Sequence, residues 1–182
     1  MADPRYVDLV LNWLESNWDS SNYPGTDSNG DLTGKVPAFV DKDDTTSTSE
    51  YSGRKVAFDL SKNNAVIVSS SPDRTQEPIG SSFDYRFEDG VSIRVVAAHE
   101  SEVAFPGDDG TPAGVAGSDE FRQLYQEVRR VLHADRVWPN PNQSGSQHAY
   151  TLRIPDETNL SSRYQNLYEY DITVLVRGHE EL

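Results

Sequence analysis

Four histidines are the side chains best suited to proton transfer or metal binding near neutral pH, and they stand at His99, His133, His148 and His179. No two of them form an HxxxH or HExxH pattern, and none lies at the spacing of a zinc-ligand pair. His133 falls near the carboxyl end of a predicted helix, where a cation is favoured by the helix dipole. We therefore predict no catalytic or metal-binding role for the histidines.

Other residue types that carry chemistry do not indicate an active site either. The chain has no cysteine, which excludes disulfides, thiolate metal sites and cysteine catalysis, and no serine stands in a GxSxG turn. The stretch Asp27–Asp31 resembles the start of a calcium loop, but its glycine is displaced and its twelfth position is Ala38 rather than glutamate. The Gly/Pro segment Phe105–Gly117 lacks the GKS or GKT of a phosphate loop. We predict a protein that is not an enzyme and has no cofactor, and a loosely held cation in the acidic loops stays open.

The charge of the chain limits the classes of partner that it can bind. Its 182 residues include 30 acidic and 16 basic side chains, with a formal net charge of −14, and lysine stands only at positions 35, 42, 55 and 62. Abundant aspartate with little lysine is typical of a salt-saturated cytoplasm, where carboxylates hold water and cations. This excess of negative charge argues against a protein whose main function is to bind DNA or an anionic membrane electrostatically.

The length of the chain predicts a single domain over residues 1–182. No apolar run is long enough to span a bilayer, so no membrane span is expected. The N-terminal sequence MADPRY has neither a basic nor an apolar segment, and it predicts no secretory signal.

Two helices are predicted from apolar residues that recur at three- and four-residue steps. The first runs from Asp3, a candidate N-cap followed by Pro4, to about Trp18. The second covers about 118–136, with Ser118 as its predicted cap. Its apolar stripe consists of Phe121, Leu124, Tyr125, Val128 and Leu132, with Val131 at the margin. Because the stripe is continuous, we expect it to cover one face of a sheet.

The clearest strand is Tyr168–Gly178, in which an apolar set of residues alternates with a mixed, mostly polar set. A β-hairpin is predicted at 83–97, because Asp89-Gly90 is a strong turn signal between two alternating segments. Shorter strands are predicted at 36–40, 54–60, 65–68 and 150–154, and loops at 69–82 and 156–167. Because the last strand outruns its expected neighbours at 54–60, 65–68 and 150–154, edge backbone or a terminal segment of it is expected to stay unpaired within the chain.

These elements predict an α+β fold with a mostly antiparallel or mixed β-sheet of about four to six strands. The N-terminal helix and the central helix are expected to pack on one face of that sheet. Long surface loops are expected at Gly25–Gly53 and Phe105–Gly117.

Candidate contact residues for a neighbouring subunit come from the second helix and the last strand. They are Arg122, Arg129, Arg136, Tyr168, Tyr170 and Arg177. The first three recur at seven-residue spacing, either as solvated charges that pair along the helix with Glu120 and Glu127 or as an intersubunit row of arginine–carboxylate pairs. The two tyrosines suit a partner surface and core filling equally well. Shortening the last strand from Arg177 onward is expected to weaken assembly before it weakens folding.

The order of these elements, together with three stretches of sequence, resembles tail-terminator or tail-completion proteins of tailed viruses. The stretches are LVLNWLESNW followed by YP near the start, FRQLYQEVRRVL in the second helix and RYQNLYEYDITVLVRGHE at the end. The resemblance covers the layout of the whole chain. It implies an α+β subunit in a homo-oligomeric ring, commonly a hexamer, at the head-proximal end of the tail. The salt-adapted composition points to a virus of salt-loving archaea.

The resemblance also implies a structural role with no catalytic residue to carry over. The implied partners are other copies of the chain, the tail tube protein and a head-closure or neck protein. The implied location is the virion, assembled in the host cytoplasm, with genomic DNA passing through the ring without specific binding. Carboxylates that line the lumen would keep DNA from adhering to it.

Two alternatives stay open from the sequence. Another head–tail connector, such as an adaptor or a stopper, has a sequence pattern that is poorly separated from that of a terminator. A non-viral halophilic domain that binds a small ligand or a cation would instead need a pocket lined by a few specific polar groups.

Overall fold

The computed structural model of the chain describes residues 6–22, 24–26, 32–34, 37–42, 64–79, 84–99, 117–135, 137–139, 149–163 and 167–181. Within these residues, the helices are Tyr6–Asn17 (α1) and Ser118–Ala134 (α2). The first four strands are Pro24–Thr26 (β1), Leu32–Gly34 (β2), Ala38–Asp41 (β3) and Ala65–Pro78 (β4). The other four are Asp84–Ala98 (β5), Val137–Pro139 (β6), Ala149–Asn159 (β7) and Leu167–Glu181 (β8). Short 3₁₀ helices lie at Ser20–Asn22 and Ser161–Arg163.

The main sheet has six strands in the order β3-β4-β5-β8-β7-β6. It is antiparallel except for β3, which runs parallel to β4 at one edge. The strands β1 and β2 form a separate antiparallel pair. A mixed sheet with an N-terminal and a central helix confirms the predicted α+β fold.

Both helices pack on one face of the main sheet, and the core lies between the two layers. The helix α1 lies over β3, β4 and β5, while α2 lies beside it over β5 and β8. The helices contribute, among others, Val10, Leu14, Phe121, Leu124 and Leu132 to the core. Ile93 of β5 and Ile172 of β8 are fully buried beneath them. Each such side chain contributes about 1.5–3 kcal/mol through removal of apolar surface from water.

The alternation predicted for the last strand is present in β8. Tyr170, Ile172, Val174 and Val176 are at most 8 % exposed and belong to the core. The expectation that the ends of this strand outrun its neighbours is wrong on the β5 side, because β5 pairs with β8 along the whole length of both strands. The neighbours are longer than the sequence predicted, and they complete the backbone hydrogen bonding there.

The predicted hairpin at 83–97 is also wrong. Asp89 and Gly90 lie inside β5, a single strand of 15 residues. Asp89 pairs with Val176 of β8 on one side and with Arg74 of β4 on the other. A strand flanked on both sides gains ladder hydrogen bonds that a turn would interrupt, so tertiary pairing overrides the local turn signal.

The predicted ends of the strands at 65–68 and 150–154 are wrong as well. The strand β4 continues through much of the predicted loop at 69–82, and β7 continues beyond Pro155 into the predicted connection at 156–167. The register shifts between Ser70 and Arg74 in β4 and between Arg153 and Asp156 in β7. Because Pro72 and Pro155 lie within these irregularities, their missing N–H groups interrupt no regular stretch of the ladder.

The ends of α2 differ from the prediction. The residue in the N-cap position is Gly117, with an extended φ of 179° and no capping side chain, so the predicted Ser118 cap is wrong. The helix ends at Ala134, and the next residue, Asp135, is extended. Val131, predicted at the margin of the apolar stripe, is fully buried.

Several predicted features lie outside the described residues. They are the Asp3 cap, the Asp27–Asp31 stretch, the strand at 54–60, the loop at 105–116, Arg136 and His148. The predicted edge segment at 36–40 corresponds to β3.

Candidate functional site

The arginines of α2 that the sequence singled out make ion pairs within the chain. Arg122 lies 3.1 Å from Oδ1 of Asp119, one turn earlier on the same helix. Arg129 instead reaches a strand, with its Nε 2.7 Å from Oε2 of Glu157 on β7. The Nε–H of Arg129 makes no hydrogen bond, so this contact is an ion pair alone. One arginine therefore pairs along the helix, but with Asp119 rather than with the expected Glu120 or Glu127, and the other joins the helix to the sheet.

Glu157 is the centre of a polar cluster between β7 and α2. The hydroxyl of Tyr170 donates a hydrogen bond of 2.9 Å to Oε2 of Glu157, and Nε2 of His133 lies 3.7 Å from its Oε1. Burial, followed by the hydrogen bond to the carboxylate, raises the pKa of Tyr170 to about 12. The phenol therefore keeps its proton far above neutral pH and acts as a hydrogen-bond donor that holds β8 to β7.

A column of five rings connects this cluster to the helix–sheet core. Tyr125 of α2 stacks on Tyr170 with ring centroids 4.1 Å apart and 3° between the planes. Phe121 contacts Tyr125 edge-on at 5.6 Å and stacks on Tyr168 at 5.2 Å, and His99 stacks on Tyr168 at 5.9 Å. Such pairs contribute about 0.5–1.5 kcal/mol each beyond their burial. Tyr168 and Tyr170 thus contribute to the helix–sheet contact, and their role at a subunit interface stays a prediction.

The two helices are joined by a buried carboxylate that the sequence interpretation did not single out. Glu127 of α2 has no exposed side-chain surface, and it pairs with Arg130 one turn later. Its Oε1 accepts a hydrogen bond of 2.9 Å from the backbone N–H of Asp19, and Nη2 of Arg130 donates one of 2.8 Å to the carbonyl of Asn17. The hydrogen bond from Arg130 to Glu127 raises the pKa of Arg130 above its ordinary value. These contacts tie the end of α1 to α2.

A helical projection of α2 explains why Glu127 is buried. At about 100° per residue, position 127 lies about 60° from Leu124 and about 40° from Val131. Both of these residues are fully buried. With Val131 assigned to the core rather than to the margin, the same projection would have predicted a buried Glu127.

A second local hydrogen-bond network lies just after α1. The backbone N–H and the hydroxyl of Ser21 donate to Oδ1 of Asp19, over 3.0 Å and 2.6 Å. These hydrogen bonds stabilise the charged carboxylate and lower the pKa of Asp19.

The sheet face opposite the helices, called the outer face from here on, carries ion pairs between neighbouring strands. Towards one end, Nε of Arg94 on β5 lies 2.9 Å from Oδ1 of Asp171 and 3.0 Å from Oε1 of Glu169, both on β8. Towards the other end, Arg177 of β8 pairs with Glu88 of β5. Arg94 and Arg177 are each partly exposed, at 48 % and 42 % of the side-chain surface. Among the predicted interface residues that the structure describes, Arg177 is therefore the one on this face.

The centre of the outer face is uncharged. A further pair, Arg86 with Glu77, lies beyond Glu88 at the same end of the sheet. Between these pairs and Arg94, the outward residues on β4, β5 and β8 are Ser69, Gly90, Ser92, Thr173 and Leu175. The absence of charged side chains from these central positions is a feature that this face shares with the cores of protein–protein interfaces.

The described residues offer little to a metal or a small ligand. In this part of the chain, no three histidine, aspartate or glutamate side chains come together as a metal site. A recess of about 250 Å³ lies between α1 and the irregular part of β4, lined by Tyr6, Val7, Ser70, Ser71, Asp89, Gly90 and Val91. This volume is below the range of about 300–1,000 Å³ that is typical of ligand pockets. Neither described helix is long and apolar enough to cross a membrane.

Comparison with known proteins assigns no family to the chain, because no protein-family model and no curated protein sequence matches it. The tail-terminator resemblance therefore rests on the order of the elements and on the three stretches of sequence that carry it. The geometry of α2 and of the outer face supplies independent grounds for a functional proposal.

Proposed function

We propose that the chain is a structural subunit of a homo-oligomeric ring, and that this ring is the terminator of a viral tail. The observation that carries the proposal is the outer face, with arginine–carboxylate pairs around an uncharged centre. Because acidic side chains outnumber basic ones by 30 to 16, most contacts between two copies would bury carboxylates without a positive partner. A face on which the charges are already paired within the chain can be covered without that cost.

The contacts of His99, His133 and Tyr170 support a structural role. Each of these side chains takes part in the contact between α2 and the sheet or between neighbouring strands. His99 stacks on Tyr168, and His133 lies beside Glu157, which accepts the hydrogen bond of Tyr170. The raised pKa of Tyr170 suits a hydrogen-bond donor and makes a phenolate nucleophile costly at neutral pH.

In the proposed role, the ring binds the head-proximal end of the tail tube, stops its growth and joins it to a head-closure protein. Genomic DNA passes through the lumen, where carboxylates outside the contact faces repel it. The virion is that of a virus with a salt-loving archaeal host, because the abundance of aspartate over lysine suits a salt-saturated cytoplasm.

The test is the mass of the purified protein in molar salt, measured by light scattering after size exclusion, followed by electron microscopy of the peak. A ring is expected, and it should bind purified tail tubes at one end and stop their growth. A protein that stays monomeric beside the tube protein would contradict the proposal. A ring that binds a head-closure protein but no tube end would indicate an adaptor or a stopper instead. Tight DNA binding by the ring in molar salt would contradict a repelling lumen.

A further inference from the structure

We infer that the ring is built head to tail, with the outer face of one subunit packed against the exposed surface of α2 in the next. This inference rests on the proposed ring and names the two surfaces that form it. Both surfaces belong to the same chain, so the occupant of the outer face is a second copy of this protein.

The positions of the two surfaces suit a ring. The helices cover one face of the main sheet, so the exposed side of α2 and the outer face lie on opposite sides of the subunit. A contact between two different surfaces is heterologous, and it closes into a ring when the rotation between subunits fits. A contact of the outer face with itself would be isologous and would stop at a dimer.

The charges of the outer face are nearly balanced. Its arginines are Arg86, Arg94, Arg153 and Arg177. Its carboxylates are Glu77, Glu88, Asp156, Glu169 and Asp171. Among the side chains that the structure describes on this face, four positive groups stand against five negative ones, and Glu169 is buried beside Arg94. A contact through these residues therefore leaves few carboxylates without a positive partner.

The surface of α2 is balanced in the same way. Three arginines, Arg122, Arg129 and Arg130, stand among three carboxylates, Asp119, Glu120 and Glu127, of which Glu127 is buried against Arg130. Gln126 is exposed and lies close to the centre of the side that faces away from the sheet. Asp119, two turns earlier and paired with Arg122, lies along the same line of this surface, so its charges are paired beside an uncharged residue. The paired charges make this surface a suitable counterpart for the outer face.

The edges of the sheet are less suited to subunit contact. In the described part of the chain, β3 pairs with only the first four residues of β4, and β6 with only the first three of β7. The remaining lengths of β4 and β7 contain Pro72 and Pro155 within shifts of register. Proline and irregular pairing hinder the hydrogen bonding of a further strand to these edges. Contact between subunits through the faces of the sheet and of α2 is therefore favoured.

Three substitutions with the same change of charge test the arrangement. Thr173→Arg places a long side chain at the centre of the outer face, and Gln126→Arg places one at the centre of the α2 surface. Ser16→Arg, at an exposed position of α1, is the matched control. Each of the first two is expected to weaken subunit association about tenfold or more, as central interface substitutions do. The control should assemble as the unmodified protein does, and circular dichroism melting should show that all three fold.

The decisive measurement is light scattering of the two interface variants in molar salt, alone and mixed in equal amounts. Alone, each variant should be monomeric. In the mixture, the intact α2 surface of Thr173→Arg meets the intact outer face of Gln126→Arg, and a one-to-one dimer that grows no further is expected. If Thr173→Arg lowers the melting temperature by more than about 5 °C, Ser92→Arg replaces it, because Ser92 pairs with Thr173 on the same face.

The other outcomes overturn the inference in distinguishable ways. A dimer of Gln126→Arg alone would show an isologous contact through the outer face. Full assembly of either interface variant would place the subunit contact elsewhere, while the proposed ring would stand. A monomeric unmodified protein would overturn the ring and this inference together.

Discussion

Replacement of the buried Glu127 by glutamine tests whether one carboxylate holds the two helices together. The amide oxygen can still accept the 2.9 Å hydrogen bond from the N–H of Asp19. The same oxygen, in the place of Oε1, can also accept the hydrogen bond from Nη2 of Arg130, but the amide NH₂ in the place of Oε2 cannot accept the one that Nε of Arg130 donates over 2.7 Å. Hydrogen bonds to charged groups contribute about 1.5–3 kcal/mol each, but the arginine is partly exposed and regains hydration. We therefore expect Glu127→Gln to lower the free energy of unfolding by about 2 kcal/mol, well above the median for a surface ion pair.

The same helix supplies a matched control. Asp119 pairs with Arg122 at the same spacing of three residues, but its side chain is 86 % exposed. Asp119→Asn should therefore cost about 0.5 kcal/mol or less, including its favourable position in the first turn.

Urea unfolding of both variants in molar salt, followed by circular dichroism, measures the two costs. For a chain of this size, a loss of 2 kcal/mol corresponds to a fall of about 4–8 °C in the melting temperature. Equal and small losses in the free energy of unfolding for Glu127→Gln and Asp119→Asn would refute the reasoning. Burial of Glu127 would then add nothing to the strength of its ion pair with Arg130. A rescue of Glu127→Gln stability on further replacement of Arg130 by methionine would confirm that the lost partner is the arginine.

Three further predictions follow from the aromatic column and the turn after α1. Because the folded-state pKa of Tyr170 is raised to about 12 from its ordinary 10.0, its contribution to stability is present below pH 10 and is lost as the pH rises towards 12. The stability difference between the unmodified protein and Tyr170→Phe should therefore shrink by about 2–3 kcal/mol over that interval in urea unfolding, and a constant difference would contradict it. Tyr125→Leu should cost about 1 kcal/mol more than Tyr125→Phe, because leucine loses the ring stacking at 4.1 Å; equal costs would argue against the stack. In an NMR titration, Ser21→Ala removes the hydroxyl donor and keeps the backbone N–H, so the pKa of Asp19 should rise part of the way towards its ordinary 3.8; an unchanged pKa would show that the hydroxyl hydrogen bond does not lower it.

The elements that the sequence predicted best are those in which local pattern and tertiary contact agree. The apolar stripe of α2 and the alternation of β8 both face the core, so periodicity alone is sufficient to find them. The hairpin at Asp89-Gly90 failed because a local turn signal competes with pairing to β4 and β8, and the partners are distant in sequence. Burial of Glu127 was missed because a charged residue at the edge of an apolar stripe is usually solvated.

The outer face could not be predicted from spacing, because its ion pairs join residues that lie 77 and 89 positions apart in the chain. Their meeting depends on the register of β5 against β8, and a slip of one residue would turn Arg94 into the core. That register is already determined on the other face, where Ile93 lies opposite Ile172 within the core. Core packing thus specifies which positions on the outer face are neighbours, but it does not require these neighbours to be arginine and carboxylate. Arg94 opposite Asp171 and Glu88 opposite Arg177 contribute to the sheet as cross-strand ion pairs, and the same pairing is what the proposed contact with a second subunit would need.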